Sequence, residues 1–169
     1  MTRFSLSIVV FAILIGISFA FAQTKKPITK EGLQGHAVHI ATTPDELKWG
    51  PAPPALPPGA EMAVVSGDPS KAGGAFTIRT KFPDGYKVPP HWHPTDENVT
   101  VIQGTIKLGM GDKFDESATK QLPAGSYALM PKDMRHFAIS SGETILQLHG
   151  IGPFEITYVN PADDPRHKN

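Results

Sequence analysis

The sequence predicts an all-β protein, folded as a closed barrel or a two-sheet sandwich, and three observations lead there. From Glu61 onward, short apolar runs recur at near-regular spacing, bounded by turn clusters at Asp68-Pro69, Pro83-Asp84-Gly85, Gly111-Asp112 and Pro123-Ala124-Gly125. Phe76, Ile78, Thr80 and Phe82 alternate with Thr77, Arg79 and Lys81, which is the two-residue period of a half-buried strand. The 16 Gly and 17 Pro of the 169 residues punctuate apolar runs instead of pooling into a low-complexity tract, and 40% hydrophobic residues are enough for a compact core.

Residues 1–22 read as a signal peptide. Arg3 gives a positive start, Ile8 to Ile17 an apolar stretch, and Ala20-Phe21-Ala22 a small-x-small cleavage site before Gln23. An uncleaved anchor is the alternative, but the apolar stretch is shorter than a membrane span. The protein is therefore expected to be exported, to the periplasm or beyond, with no membrane attachment after cleavage.

Residues 23–60 form a lead-in. Residues 23–34 are polar, and 36–41 (HAVHIA) alternate weakly, as a first strand would. Thr43-Pro44-Asp45-Glu46 has the pattern of a capping box with Pro at the first helical position, so a single helical turn is expected. Pro51 to Ala60 holds five prolines and lacks the N–H groups to sit inside a sheet. It reads as a stiff strap across the domain, or as a ligand for a proline-recognition module.

Residues 61–160 carry the barrel. The candidate strands are Ala63–Ser66, Ala75–Phe82, Glu97–Gln103, Thr105–Met110, Ser126–Met130, His136–Ser140, Thr144–His149 and Phe154–Asn160. Residues 161–169 form a polar, frayed tail.

Composition removes several functions. With 16 basic and 16 acidic residues the net charge is zero, without the basic excess of a nucleic-acid binder. There is no cysteine, which removes disulfides, thiolate metal sites, cysteine nucleophiles and lipoprotein anchoring together.

The chemistry concentrates in Gly85-YKVPP-His91-Trp92-His93-PTD-Glu97-NVTVIQ-Gly104. In a strand, His91 and His93 share a face and Trp92 takes the other. Glu97 follows a Pro94-containing turn, so its carboxylate can be aimed at the same point. Two imidazoles and a carboxylate suit a borderline divalent metal. A second stretch, Gly125-SYALM-Pro131-KDMR-His136, brings a third imidazole to the start of another strand.

These stretches resemble the two signature motifs of the cupin superfamily. The first matches G-x5-H-x-H-x3-E-x6-G at every fixed position, a match expected by chance on the order of once in ten million starting positions at ordinary residue frequencies. The second matches G-x5-P and the following His but departs twice. Asp133 stands where Gly is expected, a mild change because Asp tolerates the left-handed conformation, and Ser140 stands where the family has Asn. The resemblance covers about residues 60–160 and is similar to that of small exported bacterial cupins. It implies a cupin double-stranded β-helix, or jelly roll, in a single domain. It also implies a mononuclear metal site of His91, His93, Glu97 and His136 for one divalent ion (Mn, Fe, Ni, Co or Zn), and a homodimer.

Function then divides. A metal-dependent enzyme would use open coordination positions to polarise the oxygen of a small-molecule substrate or to activate dioxygen, in oxygenase, lyase, decarboxylase or isomerase chemistry. A non-catalytic periplasmic cupin would bind or sense a metal or small ligand. An enzyme needs an acid/base group near the metal. The candidate is His149 with Gln147 beside it, on one face of Thr144–His149. Leu146 and Leu148 occupy the other face and also compete for the interior. His36 and His39 read as surface strand residues or a second metal pair, and His167 as solvated. Trp92 and Phe137 read as inter-sheet packing or a partner surface.

Overall fold

The computed structural model describes residues 39–168. The expected signal peptide, the polar segment after it and His36 lie outside the described residues. Nine strands form one antiparallel sheet: β1 (Gly50–Pro51), β2 (Glu61–Gly67), β3 (Ala75–Phe82), β4 (Lys87–Trp92), β5 (Glu97–Met110), β6 (Thr119–Pro123), β7 (Tyr127–Met130), β8 (His136–Ile151) and β9 (Thr157–Tyr158).

Two long strands organise the sheet. The second half of β8 pairs with β3 and its first half with β4, while β5 runs along its other side. On its far side, β5 pairs with β7 near its start and with β6 near its end. One half of the sheet is therefore β1-β2-β3-β8-β5-β7, and the other is β9-β4-β8-β5-β6. The sheet curls so that the halves share a core. Phe76, Ile78, Val99, Leu146 and Leu148 from one half cluster with Val88, Ile106, Leu122 and Tyr158 from the other.

The bend in β5 falls at Gly104, where φ is +73° and the register slips against β8. A Cβ there would run into the Glu143 carbonyl and the Thr144 hydroxyl, so only glycine fits. Sequence reading split β5 and β8 at this bend and at the Ser141–Glu143 turn. The structure joins each pair into one strand.

Strands β1, β4 and β6 lie outside the candidate strands, although His91 and Trp92 do take the strand geometry expected of them. In β4, Pro89 and Pro90 lack N–H donors, but the register against β8 slips between Val88 and His91, where those donors would be needed. The proline carbonyls still work, since Val159 N–H donates to Pro90 O at 2.9 Å. Residues 39–41 are not a strand. Pro44–Glu46 is the expected helical turn, 3-10 in form, with the Glu46 carboxylate accepting from Thr43 N–H at 2.7 Å.

The tail departs from the frayed segment expected at 161–169. Pro161–Asp163 and Pro165–His167 form consecutive 3-10 turns capped by Asn160 and Asp164. Asp164 is buried and takes two hydrogen bonds from the Arg166 guanidinium, which also donates to Ile156 O. Asp164-Pro165 is a capped-turn signal that composition alone hid.

Candidate metal centre

Three strands deliver the cluster. β4 ends with His91 and Trp92, followed by His93. β5 begins at Glu97, and β8 begins at His136. His91 pairs directly with His136 across the β4–β8 ladder. All four side chains are buried. One ring nitrogen from each of His91, His93 and His136 lies within 4.8 Å of the others, a grouping that could hold a metal ion.

The other ring nitrogens explain the convergence. Nδ1 of His91 meets Pro89 O at 2.7 Å, Nδ1 of His93 meets Glu155 O at 2.6 Å, and Nδ1 of His136 meets Met134 O at 3.0 Å. A carbonyl oxygen can only accept, so each Nδ1 carries its proton. The tautomer and ring direction are thereby fixed, and Nε2 points inward, as metal-ligating imidazoles require. His93 is further packed by Phe154, stacked at 4.5 Å between ring centroids.

Glu97 joins the same point. Its Oε2 lies 3.5 Å from His93 Nε2 and 3.2 Å from His136 Nε2. Burial pushes the Glu97 carboxyl upward, but the surrounding imidazoles, His93 foremost, outweigh it and bring it down to about 2. Burial, then the like charges of His136 and His93, push His91 down to about 3, and burial also lowers His93. Burial opposes protonation of His136 too, but its hydrogen bond to Glu97 and that group's charge raise it above the ordinary value. The donor set is thus one anion, two neutral imidazoles and a third imidazole paired to the anion.

The set fits a metal. His93 Nε2 is buried and has no hydrogen-bond partner. An imidazole lone pair shut away from water is costly unless something accepts it, and a divalent cation does so. The donors are nitrogen and carboxylate oxygen, which suit Mn, Fe, Co, Ni or Zn.

The cluster opens on a cavity of about 470 Å³ between the halves of the sheet. Here the expectation for His149 is corrected. Leu146 and Leu148 are buried and line the cavity, whereas His149 is exposed and Gln147 is half-buried on the outer face. Gln147 accepts from Arg79 Nε at 3.2 Å, and Asn98 Nδ2 donates to His149 O at 3.1 Å, both on that outer face. Alternation settles the matter, because the two leucines gain more from burial than a histidine would. Neither His149 nor Gln147 shares the cavity with the cluster.

Phe137 is packing. It is fully buried, lies over Gly109 and is covered by Phe114 at 5.0 Å. Trp92 is half-buried, and His39 and His167 are exposed.

The two departures from the motif are also accounted for. Asp133 adopts φ +64°, the left-handed conformation expected of glycine. Ser140 is buried, accepts from Tyr86 N–H at 2.8 Å and donates to Pro83 O, so it stitches the turn before β4 to β8.

The strap expected across the domain is the roof of the cavity. Pro53, Ala55 and Leu56 of the proline strap line it, and two buried tyrosines fasten the strap. Tyr86 OH donates to Pro57 O, and Tyr158 OH to Ala55 O at 2.7 Å. Glu155 and Arg166 lie along an exposed part of the wall.

A family model described as the ChrR cupin-like domain matches residues 37–155, well over half of the chain. The chain belongs to the ChrR cupin-like family. The cupin assignment extends to plant relatives. A putative germin-like protein 9-2 of rice is 37% identical over 82 residues, which are 47% of this chain and 38% of that protein. Rice germin-like protein 5-1 is 33% identical over 72 residues, 42% of this chain and 33% of that protein. The chain thus matches little more than a third of the length of these relatives. Among solved structures, the polyketide cyclase RemF of Streptomyces resistomycificus superposes with a TM-score of 0.59 at 14% identity, covering 76% of this chain and 90% of that one. A putative acetylacetone dioxygenase of Methylibium petroleiphilum gives 0.59 at 18%, covering 79% and 89%. At such identities these neighbours establish the cupin jelly roll and no more.

Proposed function

We propose that this cupin is an exported, metal-dependent protein that holds one divalent transition metal through His91, His93, Glu97 and His136 and acts on a small molecule. The observation that carries the reading is the convergence of three buried imidazoles. Each is locked through Nδ1 to a backbone carbonyl, and His93 Nε2 has no partner. The metal would act as a Lewis acid on a substrate oxygen or take part in dioxygen chemistry. The chain's own residues orient the ligand atoms, cover the site with the roof of Pro53, Ala55 and Leu56 that Tyr86 and Tyr158 fasten, and supply one buried carboxylate, Glu97, as ligand or proton acceptor.

A second reading, a non-catalytic metal or small-ligand binding cupin, is favoured by one observation. With His149 outside, the wall facing the cluster is aliphatic, and beyond the cluster the one carboxylate among the described lining residues is the exposed Glu155. The two share the metal and differ in turnover. Export and homodimerisation belong to the proposal as well. The first rests on the Arg3, Ile8–Ile17 and Ala20-Phe21-Ala22 order. The second rests on the resemblance, with Met110, Tyr127 and Leu129 exposed on the outer surface.

The test is elemental analysis of protein purified from its exported fraction, beside a His93→Ala variant. About one metal per chain is expected in the parent, and a large loss in the variant with the barrel still folded. Equal metal content in both would overturn the assignment. Mass spectrometry of the same material reads the mature N-terminus, expected at or near Gln23.

A further inference from the structure

We infer that the cavity takes an apolar small molecule with a single polar end: an oxygen-donor head at the His91, His93, Glu97 and His136 cluster and a hydrocarbon body along the barrel wall. This inference rests on the metal reading above and adds the ligand class.

The wall is the first argument. Beyond the cluster, the cavity is lined by Ile78, Leu146 and Leu148 from one half of the sheet and by Ile106, Leu108 and Leu122 from the other, with the polar Glu155, Thr157 and Arg166 confined to its exposed part. Pro53, Ala55 and Leu56 make the roof apolar as well. A sugar or dicarboxylate placed with one end at the cluster would leave its remaining polar groups against hydrocarbon, without partners.

The available cations are the second argument. Among the described residues, Arg166 is the one cationic side chain lining the cavity, and it is committed. Its Nε and Nη2 donate to the two carboxylate oxygens of Asp164 at 2.8 and 2.6 Å, and Nη2 also reaches Ile156 O at 3.2 Å. A second anionic group on the ligand would have to displace this fork. Thr80 is the one buried hydroxyl among the described lining residues. Its Oγ1 is buried without a partner and without accessible surface, so it offers a ligand little as it stands. A hydrocarbon body asks for no partner and gains by leaving water, at about fourfold in affinity per buried methylene.

The experiment uses the zinc-loaded protein and a series of alkyl hydroxamic acids of two, six and eight carbons, with oxalate as the polar comparator, read by calorimetry and elemental analysis. Octanohydroxamic acid is expected to bind at least about a hundredfold tighter than acetohydroxamic acid, and tighter than oxalate. In Ala128→Phe, which places a ring into the cavity from β7, octanohydroxamate should weaken at least about tenfold while zinc content and acetohydroxamate binding hold. If that variant does not fold, the chain-length series of the parent protein decides alone. Retained zinc with a flat series, or with oxalate preferred, overturns the ligand class and leaves the metal site standing. Failure to retain zinc overturns the metal site and the ligand class together.

Discussion

Thr80→Val is expected to stabilise this protein, against the usual direction of core substitutions. Thr80 lies in the inward row Phe76, Ile78, Thr80, Phe82 of β3, between Met62 of β2 and Leu146 of β8. It is 3% exposed, and its Oγ1 has no hydrogen-bond partner. Both residues are β-branched, so the side chain keeps its preferred rotamer and the ladder keeps its backbone bonds. An unpartnered hydroxyl in such a place costs about 1–3 kcal/mol. Replacing it with a methyl of similar shape should recover about 1–2 kcal/mol of that. The assay is urea unfolding at constant pH, where the midpoint should rise with an unchanged slope. The wall also loses its buried hydroxyl, so octanohydroxamate binding should hold or improve. A loss of about 1 kcal/mol or more would refute the reasoning and mean that the hydroxyl holds a water bridging it to the backbone.

Two further outcomes follow from the site and its support. Zinc affinity should fall by about tenfold per pH unit between pH 6 and 5, because one proton competes. His136 is raised by its hydrogen bond to Glu97 and that group's charge and takes a proton first, while burial brings His91 down to about 3 and lowers His93 as well. Calorimetry in buffers of different ionisation enthalpy counts the protons released, and two or more at pH 6 would contradict the arrangement. Gly109→Ala should cost about 3 kcal/mol in thermal or urea unfolding and lower metal content as well. A Cβ there lies well inside the Phe137 ring, which is fully buried, covered by Phe114 and adjacent in sequence to His136.

The ligands were legible because their spacing is local. His91, His93 and Glu97 fall within seven residues, and His136 lies after a turn whose left-handed position Asp133 can hold. Strand β3 was legible to the residue because its alternation is unbroken. What escaped depends on partners far along the chain. β4 carries two prolines that only a register slip beside β8 accommodates. The strap became a roof through Tyr86 and Tyr158, which lie 29 and 103 residues from the carbonyls they bind. The tail is tied by Arg166 to Asp164 and to Ile156 O.

The placement of His149 could have been reached from residues already in hand. In β8 the inward positions are His136, Ala138 and Ser140 before the turn, and Thr144, Leu146 and Leu148 after it, all even-numbered. Treating 136–140 and 144–149 as separate strands discarded that continuity. A metal ligand at His136 on an unbroken strand puts Leu148 inside and His149 outside. In β5 the Gly104 slip moves the inward set from Val99 and Val101 to Ile106 and Leu108. The consequence reaches the chemistry. With the imidazole of His149 outside and Arg166 paired to Asp164, the aliphatic inner wall contributes shape and dryness, and Glu155 is the one further carboxylate among the described lining residues, on the exposed part of the wall. Any turnover at this site would then rest on the metal, on Glu97, whose carboxyl the surrounding imidazoles bring down to about 2 and which lies beside His93 and His136, and on Glu155 at the exposed wall.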